Sequence, residues 1–496
     1  MAVGLRWVVL GALLFTVQGY GQKHFDFDPG CREAYRAIVQ LRLDEGSQLL
    51  EAERKRDPDN LIPDFLANYI DFFQLFFNEN AADYAGVKVR LERRLELLAG
   101  GPENSPFNLF TRSVIHFQWA AIKVKLGSNL DAGLEFRRSF LESRACRQKF
   151  PSFGPALMLS GAMKVVAGTI PDGYKWLSNL LGIRGSVKEG MGELDQFLSM
   201  DDEWSALYRD EANFYYLYLQ FYILNKREQV FAYIRDHNLD YRNNYLYAYL
   251  YANLCINDQR SALAEQIIEG RNKTAGYLEM PVWDLEMGYA ALNHLESGTP
   301  VYLERFLRRF KGRFYVKDAL EKLSWYYYLK GDQAIADSLR AEVVKRGAAE
   351  SDADRQALKE ARGGVWPSKV LLRARLFTDG GYFGEALGSL QGISTSSFSR
   401  PEERCELAYR LGRIYDGLGR KDEAISAYLT TIKTGEGLRE YYAARAALQA
   451  GYIYEGRGDC ERAEAFFQKC LSLKDHDYKN SLDQRAKAGI ARCRGE

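Results

Sequence analysis

Apolar positions along this chain recur three and four residues apart over nearly its whole length, the spacing of one helical face. Convincing runs in which Val, Ile or Thr alternate with polar residues are absent, so the pattern predicts an almost entirely α-helical protein. Near the C-terminus the pattern sharpens into a fixed spacing: a small residue, an aromatic three later, Gly four after that, and Ala five further on. It reads Gly412, Tyr415, Gly419, Ala424, then Tyr428 one turn later, and again Gly451, Tyr454, Gly458, Ala463, then Phe467. Ala374, Phe377, Gly381 and Ala386 give a third copy upstream.

Each copy reads as two antiparallel helices. Gly412 and Tyr415 share a face, the small residue admitting the neighbouring helix and the aromatic filling the gap beside it. Gly419 ends the first helix, Arg420-Lys421-Asp422 forms the turn, and Ala424 permits close approach in the second helix while Tyr428 packs back. Such a pair cannot bury its apolar face alone and must stack on copies of itself.

These stretches resemble the tetratricopeptide repeat family, whose signature is a small residue, Tyr, Gly, Ala and an aromatic at this spacing. The two best copies start further apart than the usual period of about 34 residues, which predicts lengthened helices or a longer turn around Lys433 to Glu440. In the same register Ser324, Tyr327, Gly331 and Ala336 fit, and Ala252, Cys255 and Ala264 fit with Gln259 in the Gly position. Ala34, Ala37, Gly46 and Leu50 are followed by Asp57-Pro58-Asp59-Asn60, with Pro58 where such a helix stops. The resemblance implies an all-α, right-handed superhelical solenoid of antiparallel helix pairs that binds rather than catalyses.

The expected organisation is a signal peptide over residues 1–21, a divergent helical array over 22–346, a linker with one short helix over 347–367, and a C-terminal repeat domain with a capping helix over 368–496. Arg6 precedes an apolar run from Trp7 to Val17, too short for a bilayer core of about 30 Å, and small residues follow it as a signal peptidase requires. The first cysteine after it is Cys31, which argues against a lipid anchor. Export to the bacterial periplasm or cell envelope is therefore expected. Within the array, residues 153–197 form an apolar insert: a helix from Pro155 to Gly168, a break at Pro171, then Trp176, Leu180 and Leu181, and a helix capped by Ser186. This passage loosely resembles the inclusion-body-clearance family of tetratricopeptide proteins, which implies a helical protein handling aggregates or lipid-associated material. Trp176 reads either as a hydrophobic plug or as part of a partner groove.

The net charge of +1 argues against a general nucleic-acid binder. The one basic cluster, Arg305, Arg308, Arg309, Lys311 and Arg313, interleaves with Phe306 and Phe310, as a buried Phe face with a solvated basic face would; Arg308 and Arg309 are also candidates for an anionic partner. Tyrosine is abundant, at 32 residues, and crowded between Tyr215 and Tyr251. Tyr215, Tyr218 and Tyr222 fall at the spacing of a packing seam, leaving Tyr216, Tyr247 and Tyr249 as candidates to grip a peptide or stack on sugar. Such contact with a glycan or a membrane surface stays open beside a protein partner.

Seven cysteines form no zinc-like cluster; Cys255 and Cys470 read as packing residues, and a pairing of Cys460 with a neighbouring helix stays open. The histidines His24, His116, His237, His294 and His476 share no motif, and no nucleophile elbow, phosphate loop or metalloprotease helix is present. Paired acids such as Asp201-Asp202 and Asp352/Asp354 stand at expected helix starts, where carboxylates cap free N–H groups. No catalytic residue, cofactor or metal is expected. The function expected is an interaction scaffold that holds a partner peptide or helix in its groove, with carbohydrate binding and lipid or aggregate handling as alternatives.

Overall fold

A computed structural model describes residues 22–169, 183 and 185–495, so the segment expected to direct export and the Trp176 plug lie outside the described residues. The described chain is all-α, with one isolated bridge between His24 and Asn60. Its helices come as successive pairs: Pro29–Val39 with Leu43–Arg56, Ile62–Asn78 with Ala81–Ala99, Pro106–Lys125 with Asn129–Lys149, and Gly154–Gly168 with Val187–Leu198. Then follow Glu203–Tyr222 with Arg227–Asp236, Tyr245–Asn257 with Ser261–Gly270, Val282–Asn293 with Thr299–Arg309, and Val316–Lys330 with Gln333–Lys345. After the single helix Asp352–Gly363 come Lys369–Gly380 with Phe383–Ser389, Pro401–Gly417 with Lys421–Gly435, and Tyr442–Gly456 with Cys460–Ser472. Lys479–Arg494 closes the array.

The close-approach positions behave as their size requires. A Cβ on Gly412 would lie 2.5 Å from the Tyr428 ring, and one on Gly451 2.5 Å from the Phe467 ring. Ala336, Ala386, Ala424 and Ala463 are fully buried at the matching helix crossings. Phe467 is held between Gly451 and Gly489, so the capping helix repeats the same contact from the other side.

One backbone feature carries this register through the whole chain. In several described pairs the turn inside the pair passes through the left-handed region, in most of them seven residues after the small residue. Gly331, Gly381, Gly419 and Gly458 do so at φ 97°, 88°, 76° and 76°. Gln259, expected in the Gly position, does so at φ 59°, and Leu41, Asn225 and Leu295 occupy the same place at φ 63°, 55° and 59°. A non-glycine residue there costs on the order of 1–3 kcal/mol, which packing must offset; Leu41 does so by being fully buried.

The described ends of the 153–197 passage form a helix pair, Gly154–Gly168 with Val187–Leu198. Its two helices touch backbone to backbone, since a Cβ on Gly161 would meet the Gly190 carbonyl at 2.8 Å, and the Ser186 hydroxyl accepts the Glu189 N–H as expected of a cap. In the 347–367 stretch, Asp352–Gly363 docks through the fully buried Ala357 and Asp354. Ser351 caps that helix, while the Asp354 carboxylate reaches across to accept the N–H groups of Tyr315, Lys317 and Asp318 and so caps the start of Val316–Lys330. Asp202, by contrast, caps its own helix in a capping box with Ser205.

The first helix pair is tied to the middle of the array by a buried polar knot. Tyr35, Tyr69 and Tyr215 donate their hydroxyls to the Glu211 carboxylate at 2.7, 3.0 and 2.7 Å. Burial raises this carboxyl above the usual range, and the three phenols satisfy acceptor atoms that would otherwise be costly to bury.

An arginine- and tyrosine-lined inner face

The last helix reaches back to the middle of the chain. Gln484 Nε2 donates to the Thr169 carbonyl at 3.2 Å, and Lys359 Nζ pairs with Asp477 at 2.6 Å. Tyr222, Asn225 and Arg227 share a narrow crevice with Tyr452, Arg485 and Arg492. Tyr442–Gly456 and the closing helix therefore turn an inner face towards the end of Glu203–Tyr222.

Repeat register decides what they present there. Directly after the small residue in each first helix stand Arg375 after Ala374, Arg413 after Gly412 and Tyr452 after Gly451. Arg410 lies one turn before Arg413, and Arg445 two turns before Tyr452. Arg410 is buried and bonds Glu406 through Nε at 3.0 Å and Nη2 at 2.7 Å, with its guanidinium above the Tyr409 and Tyr442 rings. Arg375 lies over the Trp325 ring at 4.6 Å and within 3.7 Å of Asp379.

The remaining arginines are less well matched. Arg413 donates to the Tyr409 hydroxyl at 3.4 Å, a weak bond to a neutral group. The Arg445 Nε is buried with no hydrogen-bond partner. Among the described residues neither Arg445 nor Arg485 has a carboxylate within ion-pair distance. Burial, then repulsion from Arg445, pushes the Arg485 guanidinium down to about 10. Burial opposes ionisation of Tyr409, yet Arg413, Arg445 and Arg410 outweigh it and hold its phenol below the usual value. This end of the interior carries surplus positive charge.

The middle of the chain presents a different surface to the same interior. Tyr218 and Tyr315 are 41% and 42% exposed, yet burial raises both phenols, so they face enclosed space rather than bulk water. Tyr222 donates to Asn253 Oδ1 at 2.7 Å, and Asn253 Nδ2 donates to Glu286 Oε1 at 2.8 Å. The other Glu286 oxygen is buried without a partner, and burial pushes this carboxyl up to about 7. Tyr289 donates to Asp318 at 2.5 Å.

Among the candidates read from sequence, Tyr249 reaches this region, packing on Phe77 at 5.0 Å with its phenol raised by burial and then by Glu286, Tyr218 and Tyr315. Tyr247 departs from the expected exposed, off-face position. It is 5% exposed, donates to Asp210 Oδ1 at 2.9 Å, and accepts from Asn213, so its ring and hydroxyl are both occupied. Tyr216 is half-buried against Tyr233 at 5.7 Å. Tyr218, expected in the packing seam with Tyr215 and Tyr222, is instead exposed, while Tyr215 donates to Glu211. Arg308 is exposed, Arg309 pairs with Glu279 at 2.9 Å, and Phe306 stacks on Phe310 at 4.8 Å beneath them. The repeat residues Tyr415 and Tyr454 are half-buried, Tyr415 under Arg420 and Tyr454 stacked on Phe466 at 5.5 Å. Sequence reasoning missed the inner arginines, although their offsets from Gly412 and Gly451 were available once the register was fixed.

Two other groupings have local explanations. Asp28, Cys31 and Glu53 stand close enough to hold an ion, but Arg56 pairs with both carboxylates and burial pushes the Cys31 thiol up. His116 bonds Glu135 at 2.6 Å beside Lys123, and these bonds overcome burial to hold that carboxyl near 2. An open cleft of about 740 Å³ lies between Asn129–Lys149 and Gly154–Gly168, lined by Phe140, Arg144, Arg147, Met163 and Lys164. Among the described residues no helix is long and apolar enough to cross a membrane.

Residues 406–433 and 444–477 match the family model of the tetratricopeptide repeat. A solved structure described as the crystal structure of APC/C hetero-tetramer Cut9-Hcn1 is similar at a TM-score of 0.29 and 12% identity, covering 92% of this chain and 95% of that one. No curated protein matches the chain.

Proposed function

We propose that this tetratricopeptide-repeat chain is a non-enzymatic scaffold that holds an extended, acidic segment of a partner protein against the inner face of its C-terminal repeats. The observation that carries the reading is the unmatched positive charge of Arg413, Arg445 and Arg485, with the buried Arg445 Nε left without a bond. A partly desolvated guanidinium forms stronger hydrogen bonds to carboxylate than one in water, and its planar fork fits a carboxylate in two places. Tyr441 and Tyr442, packed on the buried Tyr409, supply rigid apolar surface beside it. The apolar run from Trp7 to Val17 supports action in the bacterial cell envelope after export.

A photo-crosslinking amino acid at Tyr452, in cells of the native host, tests the reading. The expected product is a cross-link to an Asp/Glu-rich segment of one envelope protein, lost when Arg445→Glu is added; a product unchanged by that substitution contradicts it. N-terminal sequencing of the mature chain tests export, with a start near Tyr20 or Gln22 expected and an intact Met1 against it. Carbohydrate binding is a second reading, supported by the open faces of Tyr218 and Tyr315. A glycan array probed with wild type and Tyr218→Ala distinguishes it.

A further inference from the structure

The last two helices, Cys460–Ser472 and Lys479–Arg494, run antiparallel in a fixed register. Phe467 meets Gly489 at their centre, Glu464 pairs with Arg494 towards the end, and Arg492 holds Glu455 at 2.6 Å from the other side. Cys460 is the first residue of its helix and Cys493 lies in the last turn of the other, and their two side chains are in hydrogen-bonding contact. Cys460 is exposed and Cys493 half-buried, whereas Cys31, Cys146, Cys255, Cys405 and Cys470 are buried. The two outer cysteines are the ones that an oxidant in solution can reach.

The geometry points to Cys460 and Cys493 as a thiol pair that oxidises to one disulfide, a covalent staple between the last repeat and the capping helix. Burial, then the neighbouring Cys460 thiol, pushes the Cys493 thiol up to about 11, so the exposed Cys460 is the attacking group and Cys493 the resolving one. The Cys460 thiolate attacks one sulfur of a disulfide oxidant, such as oxidised glutathione, and displaces one thiol. Cys493 then gives up its proton and attacks the Cys460 sulfur of the mixed disulfide, displacing the second. Two S–H bonds are lost, one S–S bond forms, and the oxidant leaves as two thiols.

The staple closes the loop from residue 460 to residue 493, which restricts the unfolded chain, and it fixes the helix that carries Arg485. An array stacked repeat by repeat frays from its ends, so a covalent tie at the terminal helix acts where opening starts.

The test uses the full chain equilibrated with oxidised and reduced glutathione, quenched with a maleimide, digested and analysed by mass spectrometry. A peptide linked through Cys460 and Cys493 is expected, absent from Cys460→Ser and Cys493→Ser, with the other cysteines labelled only after denaturation. The oxidised wild type is expected to melt about 3–10 °C above the reduced form, with no such shift in either variant. Glutathione retained on Cys460 with Cys493 still a free thiol would overturn the pairing. A linked peptide with an unchanged melting midpoint would overturn the staple.

Discussion

The same places in the repeat carry opposite chemistry in two parts of the chain. Two residues before the small residue stands Arg410 in the Gly412 repeat and Glu286 in the Gly288 repeat; one residue after it stand Arg413 and Tyr289. Six residues before it, the Gly451 repeat has Arg445 and the Ser324 repeat Asp318. Small residue, left-handed turn and helix crossing are alike in both regions, so backbone geometry does not determine which charge the inner face presents. In the middle of the chain the acids are bonded to phenols and an amide, and Glu286 gains a proton near neutrality. At the C-terminal end guanidinium groups cannot shed their charge in this way, and among the described residues Arg413, Arg445 and Arg485 have no carboxylate within ion-pair distance. One region meets its charge with phenols, an amide and a proton on Glu286; the other keeps its charge.

The comparison breaks most severely if the shared packing is removed from one side. Phe467→Ala empties the space between Gly451 and Gly489 and is expected to cost about 3–5 kcal/mol in the C-terminal repeats. Denaturant unfolding followed by hydrogen exchange should show those repeats opening first, with the Glu211 knot protected as in wild type; uniform loss of protection would mean the two regions are not separable. Next comes the proton on Glu286. Its folded-state value, about 7, lies above the ordinary 4.5, so its stabilising contribution is full below pH 4.5 and is lost as pH rises to 7. The amount at stake is about 3 kcal/mol. Glu286→Gln should flatten that part of the stability curve, and an unchanged slope in pH-dependent urea unfolding would place the titration elsewhere.

Charge reversal at the other end is smaller in stability and larger in binding. Arg445→Glu removes repulsion from Arg485, so its unfolding midpoint should stay close to wild type while affinity for an acidic peptide falls about 10–100-fold, about 1.4–3 kcal/mol. Smallest of all is Arg308→Ala on the exposed face of Thr299–Arg309, expected within about 0.5 kcal/mol of wild type and without effect on the peptide. A clear loss of binding there would move the site to the basic cluster.

Helix pairing was legible because Gly412, Gly451 and the residues at their fixed offsets are dictated by close packing, which leaves few alternatives. The register faded upstream because Leu41, Asn225, Gln259 and Leu295 adopt the glycine backbone without being glycine, their strain offset by surrounding contacts. The site was less legible for the converse reason: the inner positions hold Arg375, Arg413 and Tyr452 in turn, so no single size or polarity rule marks them. Tyr247 illustrates the ambiguity, since alternation around the helix gives it an outward position while Asp210 and Asn213 draw its hydroxyl inward. Asp354 was read correctly as a helix-capping acid, but the helix it caps belongs to a distant stretch that spacing alone could not connect.

The central claim, that unmatched arginines make the inner face an acidic-segment site, is tested most directly by fluorescence anisotropy with two labelled ten-residue peptide pools. One is rich in Glu and Asp, the other carries Gln and Asn at the same positions. Wild type should bind the acidic pool, with affinity falling as salt rises, and Arg413→Ala, Arg445→Ala and Arg485→Ala should each lose about tenfold or more. Equal binding of both pools, or an acidic-pool affinity indifferent to all three substitutions, would contradict the account.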